Sequence, residues 1–265
     1  MRVLPLVPYL AGVCLAATTV VALDVGSAAR SASVAWPSAG VVPSAAPQSA
    51  ARSTPAVDGF RAGADLPDGP PFPERGAGTW HVVPPPGAGG AAGTPYVVEV
   101  EDGVVLPQGD DWFAAVVDYA LRHPRGWSGR HPFRRVGGDV EPELRIRLTS
   151  QATARSLCGF ELPYDTSCRI GSAVHLSTAR WFRGSHTYGR DLWRYRLYAV
   201  NHEVGHFLGL GHEVCPQDGA PAPVMMQQTL SADNDVLASI TTGSDQGVVV
   251  VPDGKSCTPN PWPAP

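Results

Sequence analysis

His202-Glu203-Val204-Gly205-His206-Phe207-Leu208-Gly209-Leu210-Gly211-His212 carries five residues at set spacings, H-E-x-x-H-x-x-G-x-x-H. On a helix, His202 and His206 lie four residues apart, so one face presents both imidazoles about a turn from each other. Gly209 adopts a left-handed backbone more cheaply than other residues and lets the chain leave the helix there. The turn then swings His212 round as a third nitrogen ligand. Three imidazoles suit one zinc ion and leave a fourth tetrahedral position open, as in catalytic sites. Glu203, next to His202, is within reach of that position as a general base. In a chain of this length the five positions coincide by chance with probability on the order of 10⁻⁵. A helix whose histidines merely cap or pack is therefore the weaker reading.

Working outward, Asp191 is a plausible cap for this helix, which runs through Leu192, Tyr195 and Ala199 to Leu208. Leu197, Val200, Val204 and Phe207 seal its other side. Upstream, Thr79–Val83 reads as a short strand, and Tyr96–Glu101 as a strand closed by the Asp102-Gly103 turn. Asp110 or Asp111 caps a helix running to about Arg122, which Pro124 stops. Phe133–Val136 is a short strand candidate, and Leu144–Leu148 alternates apolar and basic residues like a strand with one buried face. Ser172–Ser177 alternates again and is read as the edge strand, with His175 packed or solvated rather than catalytic. Strands and helices in this order predict an α+β domain, a mixed sheet backed by helices.

Residues 1–25 open with Arg2 and an apolar run that carries no charge until Asp24, which reads as a secretory signal or an uncleaved anchor through residues 3–23. Residues 26–78 are rich in Ala, Pro, Ser and Gly, and are expected to form a disordered tether. The domain is then expected over residues 79–265, secreted or membrane-anchored outside the cytoplasm. Cysteine usage agrees: beyond Cys14 there are Cys158, Cys168, Cys215 and Cys257, an even number that reads as two disulfides. Three pairings exist. Cys158–Cys168, which closes a short loop, is favoured, together with Cys215–Cys257, which ties the segment after the zinc helix to the C-terminus. The net charge of −4 gives no bulk argument for nucleic acid or an anionic membrane. Arginines concentrate between Arg122 and Arg196 and are read as a solvated face.

With these residues the chain resembles the metzincin clan of zinc endopeptidases, whose signature is the long motif with its glycine and third histidine. More closely, it is similar to a family of exported actinobacterial proteins with a metzincin-like domain. The matching features are Asn201-His-Glu-Val-Gly-His206, His212-Glu-x-Cys215-Pro216, Pro223-Val-Met-x-Gln-Gln228 and Cys257-x-Pro-Asn-Pro-Trp262, within a resemblance covering roughly Gly78 to the end. It implies a twisted mixed sheet with a backing helix, one catalytic Zn²⁺ on His202, His206 and His212, and Glu203 as base. It also implies a methionine turn beneath the metal, here Met225 with Met226 as the alternative. The expected partner is a peptide or protein substrate lying along the Ser172–Ser177 edge, and the protein is expected to be a monomer. Two departures stand out. Where several branches carry a tyrosine two residues after the turn methionine, this chain has Gln227 or Gln228, and Leu230–Gly254 is long, with Val248–Val251 as an extra strand or hairpin near the cleft. A zinc-bearing binding module that does no chemistry, or a zinc amidase acting on cell-wall peptides, are the competing readings of the same motif.

Overall fold

The computed structural model describes residues 63–87, 92–159, 162–245 and 247–264, all within one unit spanning 52–265. The signal or anchor expected over residues 1–25, and the tether as far as residue 62, lie outside the described residues. Among the described residues, no helix is long and apolar enough to cross a membrane.

Six strands form one mixed sheet: β1 (Trp80–Val82), β2 (Thr94–Glu101), β3 (Phe133–Arg135), β4 (Leu144–Thr149), β5 (Cys168–Ile170) and β6 (Ala173–Ser177). Their order is β1-β2-β4-β6-β5, with β3 also pairing β2. The β2, β4 and β6 ladders are parallel, whereas the outer strands β1 and β5 run antiparallel to their neighbours. The α+β expectation holds. Its choice of edge does not. Ser172–Ser177 was expected to be the edge, but β6 is paired on both sides and all five of its residues are buried. The edge is β5, three residues long and too short for an alternation to announce it.

One face of the sheet carries Val98, Val100, Leu144, Ile146, Leu148, Val174 and Leu176, packed with Phe113, Val117 and Leu121 of helix α1 (Asp110–Arg122). Leu197, Val200 and Val204 of helix α4 (Leu192–Phe207) close the same core. Each fully buried Val, Leu or Ile contributes about 1.5–3 kcal/mol, so this layer holds α4 against the sheet. The cap of α1 is Gly109; Asp110 and Asp111 sit in its first turn, where they favour the helix dipole instead of capping it.

The opposite face is polar yet buried. Glu99 of β2 accepts from both Arg145 and Arg147 at 2.6 Å, and Glu101 accepts from Gly78 N, Ser150 N and Thr153 Oγ1. His175 lies on this side, 3.2 Å from Thr149 Oγ1 and edge-on to Trp80, and burial pushes its pKa down to about 4. It is a packed residue.

Several arginines read as solvated are internal struts. Arg180, 1% exposed, donates to the carbonyls of Ala64, Asp65, Asp165 and Gly184, and Arg135 pairs with Asp118 while donating to Val83 O and Pro84 O. These bonds also move the start of the folded unit. Residues 63–78, expected in the tether, are held by Arg180, by Thr178 Oγ1 on Pro73 O, by Arg183 on Pro70 O and by Ala152 N on Glu74 O. Backbone carbonyls satisfied by buried guanidinium groups leave no trace in composition.

Helices α2 (Gln151–Cys158) and α3 (Thr178–Arg183) flank the last strands, and α5 (Asn234–Thr241) belongs to a second, smaller core. That core gathers Tyr164, Ala222, Met226, Leu230, Leu237 and Ile240 around the Cys215–Cys257 disulfide. Val248–Val251 is not a strand. Val249 and Val251 are 85% and 60% exposed in irregular chain. Both expected disulfides are present, Cys158–Cys168 joining α2 to the edge strand and Cys215–Cys257 closing the second core.

Candidate metal centre

The helix that carries the motif is built as its sequence demands. Asp191 Oδ1 accepts from Arg194 N at 3.0 Å, capping the N-terminus. At the other end Gly209 takes φ +86°, with Leu210 N bonded to Gly205 O and Gly209 N to His206 O. This pair of bonds is a Schellman termination, which needs a left-handed residue where Gly209 stands. The reversed chain presents Leu210 O to His206 Nδ1 at 2.9 Å and brings His212 Nε2 to 3.1 Å from His206 Nε2.

His202, His206 and His212 thus converge, with one ligand atom from each lying within 4.8 Å of the others. Nitrogens sharing a tetrahedral zinc are about 3.3–3.4 Å apart for bonds of 2.0–2.1 Å, and the 3.1 Å between His206 Nε2 and His212 Nε2 is close to that. The outer ring nitrogens fix which lone pairs are offered. His202 Nδ1 donates to Val224 O at 2.9 Å and His206 Nδ1 to Leu210 O, leaving both Nε2 atoms bare. Burial first, then mutual repulsion among the rings, holds the His202 pKa well below normal, and burial lowers that of His206. Neutral imidazoles are the form a metal takes. The donor set fits zinc.

Glu203 is 5% exposed, and its Oε2 has no hydrogen-bond partner among the described residues. Burial pushes its pKa up to about 8, against a downward pull from Arg169. A nearby divalent cation would pull it further down. The carboxyl therefore sits where a metal and a bound substrate would complete its surroundings.

The two methionines separate into the two cores. Met226 packs with Leu230 and Leu237, while Met225 reaches the main core and lies against Gly205, between the two helical histidines. A Cβ on Gly205 would overlap Met225 Sδ and stand 3.1 Å from Met225 Cε and 3.2 Å from Trp127 Cζ2. Gly205→Ala is therefore expected to destabilise the protein by about 1–3 kcal/mol, although alanine favours helix by up to about 1 kcal/mol. A thermal melt checks this, and a variant as stable as the parent would contradict the packing. Gln228, fully buried, accepts from Tyr188 Oη and Asn260 N and donates to Pro223 O and Asn260 O, so it braces the turn. Gln227 instead lines the cleft.

That cleft has a volume of about 500 Å³, and its lining includes His202, Glu203, His206 and His212 together with Gln227, Thr229 and Leu230. The Cys158–Cys168 disulfide and Arg169 of β5 line it as well. Two lining residues escaped the sequence reading. Tyr198, one turn before His202, bonds Met226 O and Gln228 N through its hydroxyl and so fastens α4 to the methionine turn. Its i, i+4 spacing to His202 was the available signal. Arg169 had none, since β5 itself was missed.

No curated protein and no solved structure matches the chain. Residues 66–265 match the family described as "Protein of unknown function (DUF3152)", and the chain belongs to that family.

Proposed function

We propose that this protein is an exported zinc-dependent endopeptidase with a metzincin-like domain. The observation that carries the reading is the convergence of three histidine nitrogens on the wall of an open cleft, with a buried carboxyl one residue along from the first. A mixed sheet whose cleft-side edge strand is antiparallel, a motif helix packed against it, and Met225 beneath Gly205 support the finer, metzincin-like assignment. An open cleft of about 500 Å³ disfavours a module that keeps the ions' ligands but admits no substrate. Two disulfides suit an oxidising compartment and support export.

A zinc ion held by His202, His206 and His212 would supply Lewis-acid polarisation of a peptide carbonyl and acidify a water. Glu203 takes the proton from the attacking water and delivers it to the leaving amine nitrogen. His202 and His206 keep their ligand tautomers through Val224 O and Leu210 O. An extended peptide adds along β5, whose outer side pairs with no other strand among the described residues, and its backbone would complete that ladder. With no tyrosine at position 227, stabilisation of the carbonyl oxygen would fall to a bound metal and to neighbouring donors.

Digestion of a mixed peptide library by the zinc-loaded protein, with and without chelator, tests the proposal. Cleavage that disappears with chelator and returns with zinc is expected. A library left intact by the zinc-loaded protein counts against the peptidase reading.

A further inference from the structure

We propose that Arg169 determines specificity in this cleft, selecting peptides that carry a carboxylate close to the scissile bond. The inference rests on the peptidase reading above and adds the chemical class of substrate.

The register of the edge strand gives Arg169 its direction. In β5 it stands opposite Val174 of β6, and residues directly opposite in an antiparallel pair point to the same face. Val174 belongs to the core that α4 closes, so Arg169 projects on the α4 side, beyond the end of that core and into the cleft. Cys168 points to the other face and is held by its disulfide to α2, which fixes the strand from which Arg169 extends. The guanidinium lines the same cleft as Glu203, His206 and His212.

Several other arginines are neutralised by acidic partners. Arg155 is paired with Asp165, Arg135 with Asp118, and Arg145 and Arg147 share Glu99. Among the described residues no carboxylate pairs with Arg169, whose hydrogen bond is to Gly171 O at 3.3 Å. Among the described residues lining the cleft it is the one Arg or Lys, and the same lining includes neutral Gln227 and Thr229 and the acidic Asp245. An exposed guanidinium beside a reacting centre is a two-pronged receptor for a planar carboxylate. A peptide added to β5 presents alternate side chains toward α4, which brings an acidic side chain, or a free C-terminal carboxylate, to this cation.

The test uses the full zinc-loaded chain and peptides matched around a cleavage site: Glu against Gln at positions flanking the bond, and free acid against C-terminal amide. The two pairs separate a side-chain carboxylate from a terminal one. For one of them the wild type is expected to favour the carboxylate about tenfold in kcat/KM, mainly through KM, as one charge-assisted contact allows. Arg169→Gln is expected to bring that ratio close to one, and Arg169→Glu to invert it toward Lys-bearing peptides. A ratio unchanged in Arg169→Gln, including one in which all peptides slow equally, overturns the proposal. Binding supplies a readout independent of turnover. On a zinc-loaded Glu203→Gln background, Arg169→Gln is expected to weaken the carboxylate peptide about tenfold relative to its amide partner by fluorescence anisotropy. Equal weakening, or none, overturns it there as well. A wild-type protein that cleaves nothing yet shows this binding difference would remove the peptidase reading and leave Arg169 as a carboxylate receptor.

Discussion

Replacing Glu203 by glutamine is expected to slow peptide hydrolysis by roughly 10²–10⁴-fold while one zinc stays bound per chain. The two halves of this result have separate causes. The groups that converge are His202, His206 and His212, and Glu203 is not among them. The metal should therefore not notice an isosteric amide. Proton transfer should notice, because an amide can neither take a proton from water at neutral pH nor return one to the amine. The swap is also gentle on the fold. Glu203 is 5% exposed with Oε2 unpartnered among the described residues, so ionising it in place is costly, and the amide carries no charge.

Linkage gives an internal control for that variant. Burial raises the Glu203 pKa from 4.5 to about 8, so the folded metal-free protein holds a proton that the unfolded chain has lost. Stability then falls as pH rises from about 4.5 to about 8. In the metal-free state Glu203→Gln should escape this loss and melt above the wild type near pH 8, with the difference fading near pH 4.5. Zinc content by elemental analysis, rates on a cleaved peptide and melts of the stripped protein together check it. A variant that hydrolyses peptide at the wild-type rate would remove Glu203 from the chemistry.

Much of the architecture was legible because it repeats. Leu144–Thr149 alternates buried apolar and half-covered basic residues, and α4 keeps its apolar positions at helical spacing between a capping Asp191 and Gly209. Single residues with a forced conformation were legible too: Gly209 takes the left-handed backbone that the motif requires. What stayed hidden depends on contacts between distant segments. β5 has three residues, and its pairing with β6 is visible only once Cys168 is fastened to α2. The hold of Arg180 on Ala64 and Asp65 spans more than a hundred positions and ties a stretch whose composition reads as a tether. Gly205 looks like a free choice between two histidines, yet its missing side chain is the space Met225 occupies. Gln228 is not among the residues lining the cleft and instead satisfies backbone groups of the turn and the C-terminal segment. Periodicity reports burial along one element, whereas these features require two elements to be in place first.

His212→Ala is expected to lower zinc affinity by well over about 100-fold, more than loss of a supporting hydrogen bond costs, because a ligand itself is removed. The two helical histidines are held by α4, whereas His212 depends on a turn. That turn is fixed by main-chain bonds: Leu210 N to Gly205 O, Gly209 N to His206 O, and Glu213 N to Met225 O at 3.0 Å. Just beyond it, Cys215 is bonded to Cys257 and its N–H donates to Asn234 Oδ1. None of these bonds uses the His212 ring, so its removal should leave the loop in place and take away only the third nitrogen. Two imidazoles at i and i+4 then compete poorly with a chelator that three would resist. Titration with a zinc-selective chelator measures the loss, and the melt of the stripped variant, expected close to that of the stripped wild type, separates it from misfolding. Stoichiometric zinc retained against the chelator by a well-folded His212→Ala protein would take the third ligand away. The open fourth position inferred from three histidines, and the hydrolytic chemistry built on it, would go with it.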